Sequence, residues 1–281
     1  MPPTTSRIIS LAYLTVRGAS PWEQVDCARQ CGYSHVGLRF HPVLQAETLM
    51  PVIGFPDRLK TTESRLKETG IQVLDLEFFW INADTKIADF EPYVEAGARL
   101  GARNVLTGAN DPDRNRFIDH WLEMCDLAAK YRMRAHLEFM PFPDMATINT
   151  YAQAIELMKT APHPNAGVMI DAMHFDRSGS QISEIRPEHY AYMAYTQLCD
   201  APAGRPSLEE MERQARADRL PPGRGGLNLI GLLKALPPTQ PLALEVPLGG
   251  DAQRWTHLQK AQHVFNATQD FLHRLETPAA A

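Results

Sequence analysis

The sequence predicts a closed (β/α)8 TIM barrel formed by the whole chain, residues 1–281, as one domain. Three observations carry that expectation. Eight short apolar runs alternate with helix-patterned segments from end to end, at about 30 residues per β–α unit. The turn after the first run, Thr15 to Ser20, lacks the glycine-rich fingerprint that an open doubly wound sheet carries there. No stretch reads as a linker, and 281 residues is an ordinary length for such a barrel.

The elements follow in order. A strand over 8–14 leads to a helix over 21–30, with Ser20 as N-cap, Pro21 at the first helical position and Gly32 as C-cap. The second strand covers 35–40. A helix over 58–69 stops at Gly70, and the third strand spans 71–78. A helix over 90–100 ends before Gly101, the fourth strand covers 104–107, and a long helix runs over 114–131. The fifth strand lies in 135–140 with a helix over 145–159 behind it. The sixth lies in 167–171, followed by a polar segment, 178–189, that reads as a loop with a short helix. The seventh lies in 192–198, followed by helices over 207–218 and 227–236. The eighth lies in 242–247, and a last helix covers 252–275. Residues 1–6 and 276–281 read as frayed tails.

Composition narrows the function. The net charge is −5 and the pI about 6.1, with 44% hydrophobic and 22% charged residues. That balance points away from nucleic acid and from an anionic membrane surface, both of which call for a basic face. No run has the length of a membrane span, and the N-terminus lacks the pattern of a secretory signal, which predicts a cytoplasmic protein. Cys27, Cys31, Cys125 and Cys199 show no zinc-type spacing and read as small buried residues in a reduced compartment.

Three acidic residues end apolar runs: Glu138, Asp171 and Glu245. The run between the last two ends near an amide, Gln197. Carboxylates are rarely buried without a partner, and several together repel. Barrel active sites lie at the C-terminal strand ends, and neighbouring strands are about 5 Å apart. Four oxygen donors from strands five to eight can therefore converge on one cation, a set that suits Mn²⁺ or Mg²⁺, with Co²⁺ or Zn²⁺ as alternatives. His174, three residues after Asp171, would sit above that cation to ligate it, bind substrate or move a proton. His41 follows the second strand and Glu77 ends the third, and both are expected on the same face. Arg39 nearby reads as an ordinary surface arginine. Arg205, Arg219 and Arg224 cluster in a Gly/Pro-rich loop after strand seven. An anion clamp and a solvated connection fit that cluster equally, and Arg205 and Arg224 are retained as substrate-binding candidates.

The blocks His136-Leu-Glu-Phe139, Asp171-Ala-Met-His174, Gln197-Leu-Cys-Asp200, Pro222-Gly-Arg-Gly225 and Leu244-Glu-Val-Pro247 resemble those of the xylose isomerase-like barrels. These are sugar phosphate isomerases and epimerases and their relatives. The resemblance implies a TIM barrel with metal ligands Glu138, Asp171, Gln197 and Glu245 and His174 on the substrate side. Two positions depart from the family pattern: Gln197 stands where histidine is usual, and Arg224 where an acid is common between the glycines.

The expected chemistry is a metal-dependent isomerisation or epimerisation of a small polyhydroxy carbonyl compound, with Glu138 and Glu245 as the acid/base pair. The alternative is a lyase or dehydratase acting on a cyclic keto-polyol of the inosose or dehydroshikimate type. An endonuclease and a non-catalytic ligand-binding barrel are the remaining readings. The expected partner is a small molecule, not nucleic acid or membrane; the final helix allows a homodimer.

Overall fold

Eight parallel strands close on themselves in chain order, each hydrogen-bonded to the next and the eighth to the first. The computed structural model describes residues 7–43, 49–144 and 146–276. The strands are β1 (Ile9–Leu11), β2 (His35–Arg39), β3 (Gln72–Asn82), β4 (Asn104–Asn110), β5 (Arg134–Glu138), β6 (Ala166–Asp171), β7 (Thr196–Leu198) and β8 (Leu242–Leu244). The helices are α1 (Pro21–Cys31), α2 (Pro56–Thr69), α3 (Glu91–Arg99), α4 (Arg114–Lys130), α5 (Tyr151–Thr160), α6 (Ala172–Arg177), α7 (Leu208–Ala217), α8 (Leu229–Ala235) and α9 (His257–Glu276). The expected (β/α)8 barrel is what forms. Strands buried on both faces read as continuous apolar runs, which is why the sequence shows them without period-two alternation.

The local signals act as their chemistry requires. Ser20 accepts from the Glu23 amide and caps α1. Gly32, at φ 97°, ends it in a left-handed conformation that a side chain would resist. Gly70 ends α2 in the same way.

Several boundaries differ from expectation. The predicted helix over 145–159 begins only at Tyr151, because the Thr150 hydroxyl caps it by accepting from Gln153 N; Met145 lies outside the described residues. The last helix starts at His257 rather than 252, with Thr256 accepting from Gln259 N, after a 3-10 turn over Gly250–Arg254. The polar segment 178–189 holds 3-10 turns, at Ile182–Glu184 and from Pro187 on to Tyr192, and a short helix, α6, stands before it directly after β6. The predicted tails at 1–6 and 277–281 lie outside the described residues, while residue 276 ends α9.

Strands β7 and β8 span three residues each, shorter than their apolar runs. Glu245 therefore lies one residue past β8. The backbone beyond is held by the Arg219 amide, which donates to Pro247 O at 3.0 Å. No helix among the described residues is long and apolar enough to cross a membrane. All four cysteines are free and buried, and burial pushes the Cys199 thiol far above its ordinary range, which disfavours a thiolate there.

Candidate metal and active site

Glu138 ends β5, Asp171 ends β6, Gln197 is central in β7, and Glu245 follows β8. Asp171 and Gln197 are register partners across the sheet, and Gln197 pairs in turn with Ala243. All four side chains are buried. One oxygen from each of Glu138, Asp171 and Glu245 lies within 4.8 Å of the others, so the three carboxylates that the sequence marks do converge. Gln197 Nε2 donates to Glu245 Oε1 at 3.1 Å. A carboxylate only accepts, so the amide nitrogen must face it. The amide oxygen is left buried and, among the described residues, without a hydrogen-bond partner.

His174 is placed by its own motif. Asp171 caps α6 by accepting from the His174 amide at 2.8 Å, which sets the imidazole beside the cluster with Nε2 3.6 Å from Glu138 Oε1. Burial holds that imidazole down at about 4, against the pull of Asp171, so it is neutral at physiological pH.

Among the described residues, the guanidinium that pairs with the cluster is that of Arg219. Its Nη1 donates to Asp171 Oδ2 at 2.5 Å, its Nη2 lies 3.0 Å from Glu245 Oε2, and its Nε donates to Ala215 O. Asp200 and Leu220 exchange backbone hydrogen bonds of 2.7 and 2.9 Å, which fixes the chain next to Arg219. The adjacent glycine loop wraps the Asp200 carboxylate, which accepts from the amides of Gly223, Gly225 and Leu227.

Charge at the cluster is unbalanced. Burial opposes ionisation of Asp171, but Arg219 and the His174 amide outweigh it and hold Asp171 below its ordinary value. Burial, with Glu245 and Asp171 adding repulsion, pushes Glu138 well above the carboxylate range. Burial likewise raises Glu245 to about 7 despite Arg219. Three acids face one arginine.

The cluster opens into a cleft of about 120 Å³ lined by Arg39, Phe78, Trp80, Phe142, His174 and Arg219 among others. Its size suits one small molecule, below the range of drug-sized pockets. The other sequence candidates fall elsewhere. Arg205 is exposed on its loop, and Arg224 is exposed and faces Asp270 of α9 at 3.7 Å; neither lines the cleft, so the proposed clamp of these two does not form. His41 packs its ring against Phe79, Phe90 and Tyr93, outside the barrel lumen. Glu77 is buried. It accepts from the Tyr13 amide at 2.8 Å and pairs with Arg39 at 3.2 Å. Arg39, expected on the surface, is only 6% exposed and lines the cleft.

Sequence reasoning left Arg219 in an undifferentiated loop cluster and missed the aromatic wall. The sequence did signal that a cation was needed, because a buried group of three carboxylates requires one nearby, but it did not mark which arginine supplies it.

The model of the family described as xylose isomerase-like TIM barrel matches residues 25–264. An inosose isomerase of Bacillus subtilis is 27% identical over 174 residues, 56% of this chain and 59% of its own length. A 3-dehydroshikimate dehydratase of Pseudomonas putida is 31% identical over 102 residues, 35% of this chain and 16% of that protein. The chain thus spans a little over half the length of the inosose isomerases it matches. A crystal structure of the IOLI protein with a bound zinc atom superposes with a TM-score of 0.76 over 95% of this chain and 98% of that one; at 19% identity this speaks for the fold.

Proposed function

This chain belongs to the xylose isomerase-like TIM barrel family, and we propose that it is a divalent-metal-dependent isomerase or epimerase of a small polyhydroxy carbonyl compound. One observation carries the reading. Three buried carboxylates converge, Gln197 is hydrogen-bonded to one of them, and among the described residues Arg219 is the guanidinium that pairs with two of the three. Glu138, Asp171, Gln197 and Glu245 would hold the ion, and their all-oxygen chemistry suits Mn²⁺ or Mg²⁺. A cation held there supplies Lewis-acid stabilisation to an adjacent carbonyl and hydroxyl.

The side chains supply the rest. Glu245, just past the end of β8 at the cluster, would take a proton from the carbon beside the carbonyl. Glu138, on the other side of the cluster, would carry the proton that is returned to the neighbouring carbon or to the opposite face. Neutral His174 orients a substrate hydroxyl, and Arg219 lies where negative charge develops on oxygen. Phe78, Trp80 and Phe142 cover the apolar face of a ring and exclude water. The substrates named for the relatives, an inosose and 3-dehydroshikimate, are both cyclic polyhydroxy ketones, and that class fits the cleft. A second reading, expulsion of a β-hydroxyl as water after the same proton abstraction, has the Pseudomonas dehydratase in its favour.

The test is Mn²⁺-loaded protein incubated with an inosose in D2O. Deuterium should enter the carbon beside the carbonyl in the wild type, and Glu245→Gln should slow this at least about 100-fold. Exchange at an unchanged rate in the variant removes Glu245 from the role. With 3-dehydroshikimate, a growing near-ultraviolet absorbance would assign the dehydratase outcome instead.

A further inference from the structure

Gly108 of β4 leaves a gap where its neighbours on both sides point at the mouth of the barrel. Its register partners are Trp80 on β3 and Glu138 on β5. Register partners on adjacent strands point to the same face, about 4.8 Å apart. A side chain at 108 would therefore stand between the indole of Trp80 and the carboxylate of Glu138. Two rings from β3 fill that space instead. A Cβ added at Gly108 would lie 2.6 Å from Phe78 Cζ, 2.6 Å from Trp80 Cζ3 and 2.7 Å from Trp80 Cε3. Its φ lies outside the left-handed region, so space and not conformation requires glycine here. Glycines of other strands make room for polar groups: Gly37 of β2 for Asp75 and Glu77, and Gly167 of β6 for His136. Gly108 makes room for the wall of the cleft, which Phe78, Trp80 and Glu138 all line.

We infer that Gly108 is the positioning residue that makes this cleft select closed rings over open-chain polyols, by seating Phe78 and Trp80 as a fixed apolar platform one strand away from Glu138. The inference rests on the reading above for what enters the cleft. The two rings meet edge to face with centroids 5.0 Å apart, and Phe78 is buried, so each ring holds the other in place. Phe142, in the segment after β5, packs edge to face on His174 and extends the wall beside the acid cluster. A six-membered polyol ring has a face of axial C–H bonds that such a platform covers, whereas an extended polyol has no lasting apolar face. The closed ring also arrives ordered, while the open chain must give up rotation about its carbon–carbon bonds. A methyl group at 108 would push both rings off β4 and into the space the substrate ring needs.

The test uses a matched pair of six-carbon polyols that carry a hydroxyl on every carbon and no carbonyl. Myo-inositol is the closed ring and sorbitol the open chain, each titrated calorimetrically into the full chain loaded with Mn²⁺. Myo-inositol should bind at least about tenfold more tightly than sorbitol. Gly108→Ala should cut that preference to about twofold or less while Mn²⁺ affinity stays within about twofold of the wild type. Trp80→Leu removes the platform at a half-buried position and leaves β4 untouched. It should erase the preference too, and it decides the matter if Gly108→Ala fails to fold. Three results overturn the inference: equal or undetectable binding of both polyols by the wild type, a preference that survives in either folded variant, or a Gly108→Ala protein that loses Mn²⁺ together with the ring. Neither probe can be enolised, so the outcome is independent of catalysis. A protein that shows the preference yet exchanges no deuterium into an inosose keeps this inference and loses the reading above. One that exchanges deuterium and binds both polyols alike does the reverse.

Discussion

The two sides of the barrel mouth handle buried charge differently. Where β2 ends beside the middle of β3, one guanidinium meets a carboxylate, Arg39 with Glu77, and Glu77 also accepts from the Tyr13 amide. At the ends of β5 to β8, three carboxylates meet one guanidinium, and the Gln197 amide oxygen finds no partner among the described residues. The first pairs its arginine with an acid, although the buried Asp75 carboxylate adds repulsion to Glu77; the second has three acids to one shared guanidinium and an amide oxygen without a donor among the described residues. A buried ion pair that breaks even needs no ligand to explain it, whereas a buried excess of acid does. Matched groups hold the mouth in shape, and unmatched groups mark where something binds.

The largest expected effect comes from removing one of the unmatched acids. Among the described residues no arginine pairs directly with Glu138, and burial with Glu245 and Asp171 outweighs the pull of Arg219 on it. Glu138→Gln should therefore weaken Mn²⁺ binding at least about 100-fold while leaving the metal-free protein as stable as the wild type or slightly more so. In the wild type, free Mn²⁺ at 100 times its Kd should add about 2.7 kcal/mol, a Tm rise of several degrees. Scanning calorimetry with and without Mn²⁺ reads both quantities. A variant that is destabilised when metal-free, yet still gains the full increment with Mn²⁺, would show that Glu138 is structural.

The converse holds on the matched side. Glu77→Gln removes the charge that Arg39 pairs with in a buried setting, which should cost on the order of 3 kcal/mol. The Mn²⁺ increment should survive intact. If the increment disappears with Glu77, the two sides of the mouth are one site and the contrast between them fails.

A smaller effect sharpens how the floor of the site is built. Gly167 of β6 packs directly on the His136 ring: an added Cβ would collide with His136 Nδ1 and lie 2.7 Å from the Tyr192 carbonyl. His136 is fully buried and shares a hydrogen bond of 3.0 Å with Asn104, so it has little room to move. Gly167→Ala should cost about 1–3 kcal/mol by overpacking, measured by urea denaturation. A neutral result would mean that β6 shifts easily, and with it Asp171.

The barrel, its eight strands and the residues that converge were legible because each rests on a local signal: an apolar run, a cap, an acid at a strand end. Asp171 and His174 were legible together because a capping spacing fixes both. The partners of those acids were not. Arg219 and Asp171 are 48 residues apart, and Arg39 and Glu77 are 38 apart. Nothing local distinguishes Arg219 from Arg205 or Arg224. What separates them is the backbone exchange of Asp200 with Leu220 and the Arg219 amide bond to Pro247, which are facts of tertiary closure. His41 misled for the opposite reason. It follows a strand as a site residue would, but the chain turns outward there and buries the ring against Phe79, Phe90 and Tyr93.

The smallest expected effect separates the arginines of that loop. Arg224 is exposed, and its contact with Asp270 is long, at 3.7 Å. Such pairs contribute little because water and salt screen them and two long side chains lose freedom to form them. Arg224→Gln should change stability by no more than about 0.5 kcal/mol and leave kcat and KM for the cyclic ketone unchanged. Arg219→Gln strips Asp171 and Glu245 of their shared guanidinium and should depress both activity and stability. A rise in KM for Arg224→Gln would mean that the loop folds over the bound substrate and brings Arg224 to the mouth, and the division between matched and unmatched charge would then have to be redrawn around the liganded state.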